Sequence, residues 1–351
     1  MIIKNDSPRK KDKPAVQKNP PVIIVYHENC IDGAASAWII AKAAGIEDGA
    51  RKNNALFIPY DHADPAAGED KIRAALSSGG DIYFADITPE KDFLDALLAA
   101  GNDIHILDHH KSAAETLKDK NAPRLHLVFD PAAPSAAGMI WAHFFPSQTP
   151  PAVVALIDLM DGAANGLKTP EDFAAAALVD SKSIRTPESA LETLRGLAML
   201  SFNDMAKKGL PIAAAEDARI DELFENAAVA RIRLLPDTDA VDVPVVNGHL
   251  KGYGRAISAR LVELGAACGA NAAFMWWLEK NGAVTMSIRT GGDPDASAIA
   301  RHICKTTGAT GGGHDGAAAV HFASLADFAK HVKITRPAAA RKIRREPPSP
   351  G

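Results

Sequence analysis

Apolar residues fall in short runs broken by Gly, Asn and Asp, and after most runs comes a segment of helical texture. Val22-Ile23-Ile24-Val25-Tyr26 is continuously apolar over strand length, as a strand buried on both faces requires. An Ala-rich helix is predicted from Gly33 to Ala44, a second strand from Ala55 to Pro59 and a third at Ile82-Tyr83-Phe84-Ala85. A helix from Lys91 to Ala100, a strand at Ile104-His105-Ile106-Leu107 and another from Leu125 to Phe129 continue the alternation. Strand and helix in turn predict a mainly parallel, doubly wound α/β sheet with helices on both faces. Helices then dominate from Ser135 to Asn226. From Val241 the texture returns to strands at 243–246, 272–278, 284–289 and 317–322, with helices at 254–264 and 297–306. Lys280-Asn281-Gly282 reads as a hairpin turn. This second part predicts a smaller α/β domain.

At 351 residues the chain is long enough for two domains. The boundaries read as a disordered N-terminal tail at 1–21, a catalytic sheet domain at 22–165, a helical connector at 166–236, a second α/β domain at 237–335 and a basic tail at 336–351. A formal net charge of −4 leaves no global basic signature, so contact with a nucleic acid needs a local patch. Three scattered cysteines, Cys30, Cys268 and Cys304, argue for a reducing compartment and against a disulfide framework or zinc knuckle. No apolar stretch reaches the roughly 18 residues that span a bilayer, and the polar N-terminus lacks a signal-peptide core. The expectation is a cytoplasmic protein with no membrane partner.

Candidate chemistry gathers where parallel sheets collect it, outside the carboxyl ends of the strands. The first strand ends in His27, with Asn29, Cys30 and Asp32 in the turn behind it. The third ends in Asp86, the fourth in Asp108-His109-His110 and the fifth in Asp130. One acid at a strand end is an ordinary helix cap; four ends in turn, with three histidines, point to a metal site. Asp130, before Pro131, reads better as a turn residue. His105 reads as a packed or edge residue, His62 as surface, and Cys30 as a small packed side chain.

The Asp108-His109-His110 triplet, the segment His27-Glu28-Asn29-Cys30-Ile31-Asp32-Gly33, Asp86 in Phe84-Ala85-Asp86-Ile87, and Gly311-Gly312-Gly313-His314 together resemble the DHH phosphoesterase superfamily. The likeness runs from about Val22 to Phe322. The glycine segment resembles the substrate-binding DHHA1 domain, with Ser287-Ile288-Arg289 as its lead-in. The first motif is most similar to that of the nanoRNases, which hydrolyse short oligonucleotides, and of cyclic-nucleotide phosphodiesterases. The family's fourth acid best matches Asp161 in Leu159-Met160-Asp161-Gly162, with Asp158 as competitor. Many members carry two aspartates in the first motif; here Asp32 stands alone, which bears on the number of metals.

The resemblance implies a metal-dependent phosphodiester hydrolase that releases mononucleotides from short oligonucleotides or linear dinucleotides. It implies His27 and Asp32 on one metal, Asp86 bridging, and His109 with Asp161 on the second. Asp108 would orient an imidazole and His110 would meet the phosphate or leaving group. Mixed imidazole and carboxylate donors fit Mn²⁺, two ions in the family pattern, with Mg²⁺ or Co²⁺ as substitutes. Gly311, Gly312 and Gly313 would form a loop whose amides approach a phosphate, with Arg289 and His314 adding charge-assisted bonds. The expected partner is a short oligonucleotide or a (cyclic) nucleotide; a homodimer is open. The competing readings are a single-strand-specific exonuclease, a small-nucleotide phosphatase and, from another class, a nucleotide-binding sensor whose hydrolytic site has decayed.

Overall fold

The computed structural model describes residues 22–46, 55–62, 64–76, 80–111, 113–118, 122–162 and 166–337. The N-terminal tail at 1–21 and most of the basic tail lie outside them; Arg336 and Pro337, its first residues, belong to a strand. The described chain divides into two compact units. The first holds the residues through Gly166 together with Ser183–Met199, and the second holds Leu167–Lys182 and everything from Leu200 onwards.

The first unit contains β1 (Val22–His27), α1 (Ile31–Ala43), β2 (Ala55–Tyr60), α2 (Pro65–Ala75), β3 (Asp81–Ala85) and α3 (Lys91–Ala99). Then come β4 (Asp103–Asp108), α4 (Ala113–Leu117), β5 (Leu125–Phe129), α5 (Ala136–Phe144) and α6 (Ala152–Asp161). After α7 (Pro170–Asp180), which packs in the second unit, α8 (Pro187–Ala198) returns to the first. Its sheet has the order β2-β1-β3-β4-β5 with every pair parallel, so the expected doubly wound sheet is present. Ile23, Val25, Ile82, Phe84, Ile104 and Ile106 point to one face, where Ile72 of α2, Phe93, Leu94 and Leu97 of α3 and Leu117 of α4 cover them. On the other face lies α1, buried without a break from Asp32 to Ala41. Apart from Asp32 and Ser36 its buried stretch is apolar all round, as a helix enclosed on every side requires.

Chain order reverses between β1 and β3, which places the sheet's switch point at the ends of those two strands. An open parallel sheet binds its ligands at such a crevice. Strand β1 ends in His27, and β3 is followed at once by Asp86.

In the second unit α9 (Phe202–Glu225) leads into β6 (Ala228–Arg233), β7 (Ala240–Asn247), α10 (Ala256–Ala267), β8 (Ala272–Leu278) and β9 (Val284–Thr290). It continues with α11 (Ala296–Thr307), β10 (Thr310–Gly313), β11 (Ala317–Phe322), α12 (Leu325–His331) and β12 (Ile334–Pro337). These strands form one mixed seven-stranded sheet, β10-β11-β9-β8-β7-β6-β12, in which β7 and β8 alone are parallel. Residues 166–236, expected as a separate connector, are shared out instead. Ala190, Leu194 and Leu197 bury α8 in the first unit, α7 and α9 pack in the second, and β6 is a strand of its sheet. No helix among the described residues is long and apolar enough to cross a membrane.

Candidate metal centre

The local fold brings the expected donors together by a few specific devices. Gly33 lets the first turn of α1 sit against the end of β1, since a Cβ there would come within 2.6 Å of the His27 carbonyl oxygen and 2.8 Å of its Cβ. That close seat carries Asp32 to the strand end. Asp86 adopts a left-handed backbone (φ 60°) while its N–H donates to the Leu107 carbonyl at 2.9 Å. Such a conformation is unfavourable for a residue with a Cβ and collects at functional sites. Here it leaves the Asp86 carboxylate among the imidazoles of β1 and β4.

Two donor groups result. His27, Asp86 and His110 offer ligand atoms that all lie within 4.8 Å of one another, and so do those of Asp32, His109 and Asp161. Asp86 faces both: its Oδ2 is 3.4 Å from His27 Nδ1 and its Oδ1 is 3.4 Å from His109 Nε2. His109 Nε2 also lies 3.6 Å from Asp32 Oδ2 and 3.4 Å from Asp161 Oδ2. The partition differs from the sequence expectation. Asp32 sits with His109 and Asp161 rather than with His27, because two amides hold its carboxylate on that side: Ala136 N–H to Oδ2 at 2.8 Å and Ala137 N–H to Oδ1 at 2.7 Å. Of the two acids on α6, Asp161 reaches His109, while Asp158 accepts the Ser135 hydroxyl at 2.6 Å.

These separations are too long for good hydrogen bonds. His27 Nδ1, both Asp86 oxygens and His109 Nε2 are buried without a hydrogen-bond partner. Four orphaned polar atoms converging on one spot would be costly, and a divalent cation satisfies them. The donor set therefore fits metal ions of the kind bound by mixed imidazole and carboxylate groups. A supporting shell is also present: His109 Nδ1 lies 3.1 Å from the Ala133 carbonyl oxygen, an arrangement that fixes the ring with Nε2 toward the acids.

Asp108 stands outside both groups and serves His110. Its Oδ1 lies 2.8 Å from His110 Nδ1 and accepts the His110 N–H at 3.0 Å, while Oδ2 accepts the Thr88 hydroxyl at 2.7 Å. The His110 pKa is raised by that bond to Asp108, against a smaller opposing effect of burial. Burial pushes the Asp108 carboxyl up, but the bonds from His110 and Thr88 outweigh it and hold the pKa low. Burial likewise pulls His109 down, yet Asp86, the Ala133 carbonyl and the Asp32 charge carry it up to about 9. Asp32 is pushed well up by burial and by Asp86, which the two amides only partly offset. A cation would replace the protons that this crowding of acids retains. Burial and the neighbouring Asp86 and Asp32 also raise the Cys30 thiol, and Cys30 belongs to neither donor group.

Thr88, Ser135, the Ala133 carbonyl and the amides of Ala136 and Ala137 were not anticipated as site residues. Thr88 follows Asp86 by two positions, and Ser135 is a helix N-cap before an apolar run, the one signal that pointed at it. Asp130 takes its turn reading: Oδ1 accepts the Ala132 N–H at 2.9 Å. His105 is packed between Tyr83 and His126, with ring centroids 4.3 and 4.5 Å away, and His62 is exposed.

In the second unit the glycine run is a strand, not a loop. Gly311, Gly312 and Gly313 pair with Val320, Ala319 and Ala318 in edge strand β10. A Cβ on Gly311 would meet the Ala319 carbonyl and one on Gly313 the backbone of Ala317 and Ala318, whereas Gly312 faces open space. Close packing on β11 therefore accounts for two of the three glycines. His314 is exposed at the turn, its N–H donating to the Ala317 carbonyl at 2.8 Å. Arg289 lies on β9, half-buried, donating to Ser258 Oγ at 3.2 Å and Ser287 Oγ at 2.6 Å. No carboxylate among the described residues forms an ion pair with it, and burial lowers its pKa.

No protein-family model matches the chain, and no curated protein matches it significantly. Among solved structures, the chain is similar to the crystal structure of CDC45 from Entamoeba histolytica, at 7% sequence identity and a TM-score of 0.43. The alignment covers 89% of this chain and 94% of that one. So slight a likeness does not bear on function.

Proposed function

We propose that the chain is a metal-dependent phosphodiester hydrolase releasing mononucleotides from short oligonucleotides or linear dinucleotides. The observation that carries this reading is the pair of donor groups at the switch point of a parallel sheet, with Asp86 of one group 3.4 Å from His109 of the other and four orphaned buried atoms among them. His27 and Asp86 on one side, and Asp32, His109 and Asp161 on the other, would hold divalent cations, Mn²⁺ by the chemistry of the donors. Bound there, divalent cations would neutralise phosphate charge and make water a nucleophile near neutral pH.

The rest falls to the chain's own groups. With Nδ1 held against Asp108, His110 presents Nε2, and its raised pKa favours the protonated ring. That is the state a general acid needs to protonate a departing alkoxide oxygen. Thr88 and the His110 amide keep Asp108 in place for this, and Asp108 keeps the imidazole from turning. In the second unit, taken by itself, Arg289, a half-buried guanidinium with no carboxylate ion-paired to it among the described residues, is the group we assign to an anionic phosphate. His314 and the outward-facing Gly312 border the same reading. The nucleotide character of the substrate rests on the motif resemblance.

Purified protein with Mn²⁺ should release mononucleotide from pApA, and His109→Ala and His110→Ala proteins should not. Cyclic dinucleotides, cAMP, pyrophosphate and a 30-mer run beside it separate the phosphodiesterase, phosphatase and exonuclease readings. Metal-dependent release from none of them would overturn the assignment in favour of a sensor.

A further inference from the structure

We propose that Asp158 is a positioning residue that sets cation affinity through Ser135 and the first turn of α5; this rests on the metal-site reading above. Asp158 belongs to neither donor group, and His109 draws its acids from Asp32, Asp86 and Asp161. Its work is indirect. Ser135 is fully buried and caps α5: its Oγ accepts the Gly138 N–H at 3.0 Å and donates to Asp158 Oδ1 at 2.6 Å. A hydroxyl has a single proton. Given to Asp158, that proton leaves the serine lone pairs aimed at Gly138, which fixes the first turn of the helix.

The two amides that follow Ser135 are those that hold Asp32. Ala136 and Ala137 donate to its two carboxylate oxygens at 2.8 and 2.7 Å, and Asp32 in turn lies 3.6 Å from His109 Nε2. A continuous chain of bonds thus runs from Asp158 through Ser135 and the helix start to one wall of the metal centre. If Asp158 lets go of Ser135, the hydroxyl is free to rotate, the helix start loosens, and Asp32 loses its fixed direction.

Gly138 adds a second, independent sign. A Cβ at this position would run into both oxygens and the carbon of the Asp158 carboxylate. Within a helix, glycine is less favourable than alanine, and Gly138 has an ordinary helical backbone. The glycine is explained by the room it leaves for Asp158.

Mn²⁺ titration calorimetry on the full chain, with thermal melts of the metal-free proteins, tests this. Asp158→Ala and Gly138→Ala should each weaken Mn²⁺ binding by about 10- to 100-fold, the range for lost supporting bonds around a metal site. Gly138→Ala, whose Cβ displaces the Asp158 carboxylate, should lower the metal-free melting temperature as well, so the readout that a merely structural role would not move is the Mn²⁺ affinity of the folded protein at the titration temperature. Asp158→Asn, whose amide oxygen still accepts the serine proton, should restore most of the affinity. Wild-type affinity in Asp158→Ala would overturn the inference alone, and so would an Asp158→Asn protein as weak as Asp158→Ala, since charge rather than position would then be at work. No Mn²⁺ binding by the wild type would overturn the metal-site reading and this inference with it. Where Asp158→Ala fails to fold, Gly138→Ala decides.

Discussion

Replacing Asp108 by Asn removes a charge while keeping the shape of a fully buried side chain, so it isolates what the carboxylate does for His110. Asp108 accepts three bonds, from Thr88 Oγ1 at 2.7 Å, His110 Nδ1 at 2.8 Å and the His110 amide at 3.0 Å. An asparagine has one oxygen for them. If its NH₂ turns to His110, Nδ1 must become an acceptor and the proton moves to Nε2, which reverses the tautomer. If the NH₂ turns to Thr88, the bond to His110 survives without its charge. A hydrogen bond to a charged group contributes about 1.5–3 kcal/mol. Because His110 is partly exposed, solvent screening favours the lower end. At about 1.36 kcal/mol per tenfold in rate, the expected loss in kcat is roughly 10- to 100-fold.

The pH profile carries the sharper test. A general acid must be protonated, so activity falls as pH rises through the His110 pKa. Asp108 raises that pKa, and the variant's descending limb should therefore move to lower pH. Stability follows the same sign. A raised histidine contributes stability fully present below its unfolded pKa of about 6.5, lost as pH rises through the folded value. The lowered Asp108 contributes stability above about 3.9, lost as pH falls through its folded value. The asparagine variant loses both contributions. The measurement is kcat on a linear dinucleotide from pH 5 to 9 at saturating Mn²⁺. A reduced kcat with an unmoved descending limb would refute the claim that Asp108 acts through His110.

Three further outcomes follow from the geometry. Gly33→Ala places a Cβ 2.6–2.9 Å from three atoms of His27, so it should destabilise the protein by about 1–3 kcal/mol; an unchanged denaturant midpoint would show that α1 does not need its close seat. At pH 7 Mn²⁺ binding should release roughly one proton or more per protein, because His109 is held protonated up to about 9 and a ligating imidazole is neutral. Binding enthalpy that is the same in buffers of different ionisation enthalpy would contradict this. Arg289→Met should raise KM for an anionic dinucleotide by about tenfold or more, by loss of a charge-assisted bond, and leave Mn²⁺ affinity alone; an unaltered KM would remove Arg289 from the substrate site.

Strands buried on both faces were the most legible part of the fold. Val22 to Tyr26 is apolar without interruption and buried at every position, and Ile104 to Leu107 is broken only by His105; their strand length and the turn residues around them carried the reading. What escaped was structure whose apolar content is low or shared. Strand β6, Ala-Val-Ala-Arg-Ile-Arg, buries Ala230 and Ile232 on one face and Val229 on the other beside exposed Arg231 and Arg233, so its alternation is broken, and it follows a long helix that masks the change of period. Strand β10 holds three glycines, which carry no period at all; its pairing is decided by β11. The helical stretch 166–236 looked uniform because amphipathic helices do not say which core they join.

The strand-end rule brought His27, Asp32, Asp86, His109 and His110 together from sequence, since it depends only on where each strand stops; Asp161, on a helix, came from the motif resemblance alone. Their partition into two groups is a different matter, decided by contacts far apart along the chain. Asp32 is turned toward His109 by amides 104 and 105 residues away, and Asp86 by a left-handed turn that no spacing announces. The choice between Asp158 and Asp161, one helical turn apart, depends on a serine hydroxyl 23 residues from Asp158. Both acids therefore stand in different places: Asp161 faces the orphaned His109 Nε2, and Asp158 has its oxygen committed to Ser135 at the start of α5. A sequence motif can name the acids of such a site, but the division between ligand and support is made by whichever backbone amides and hydroxyls arrive first.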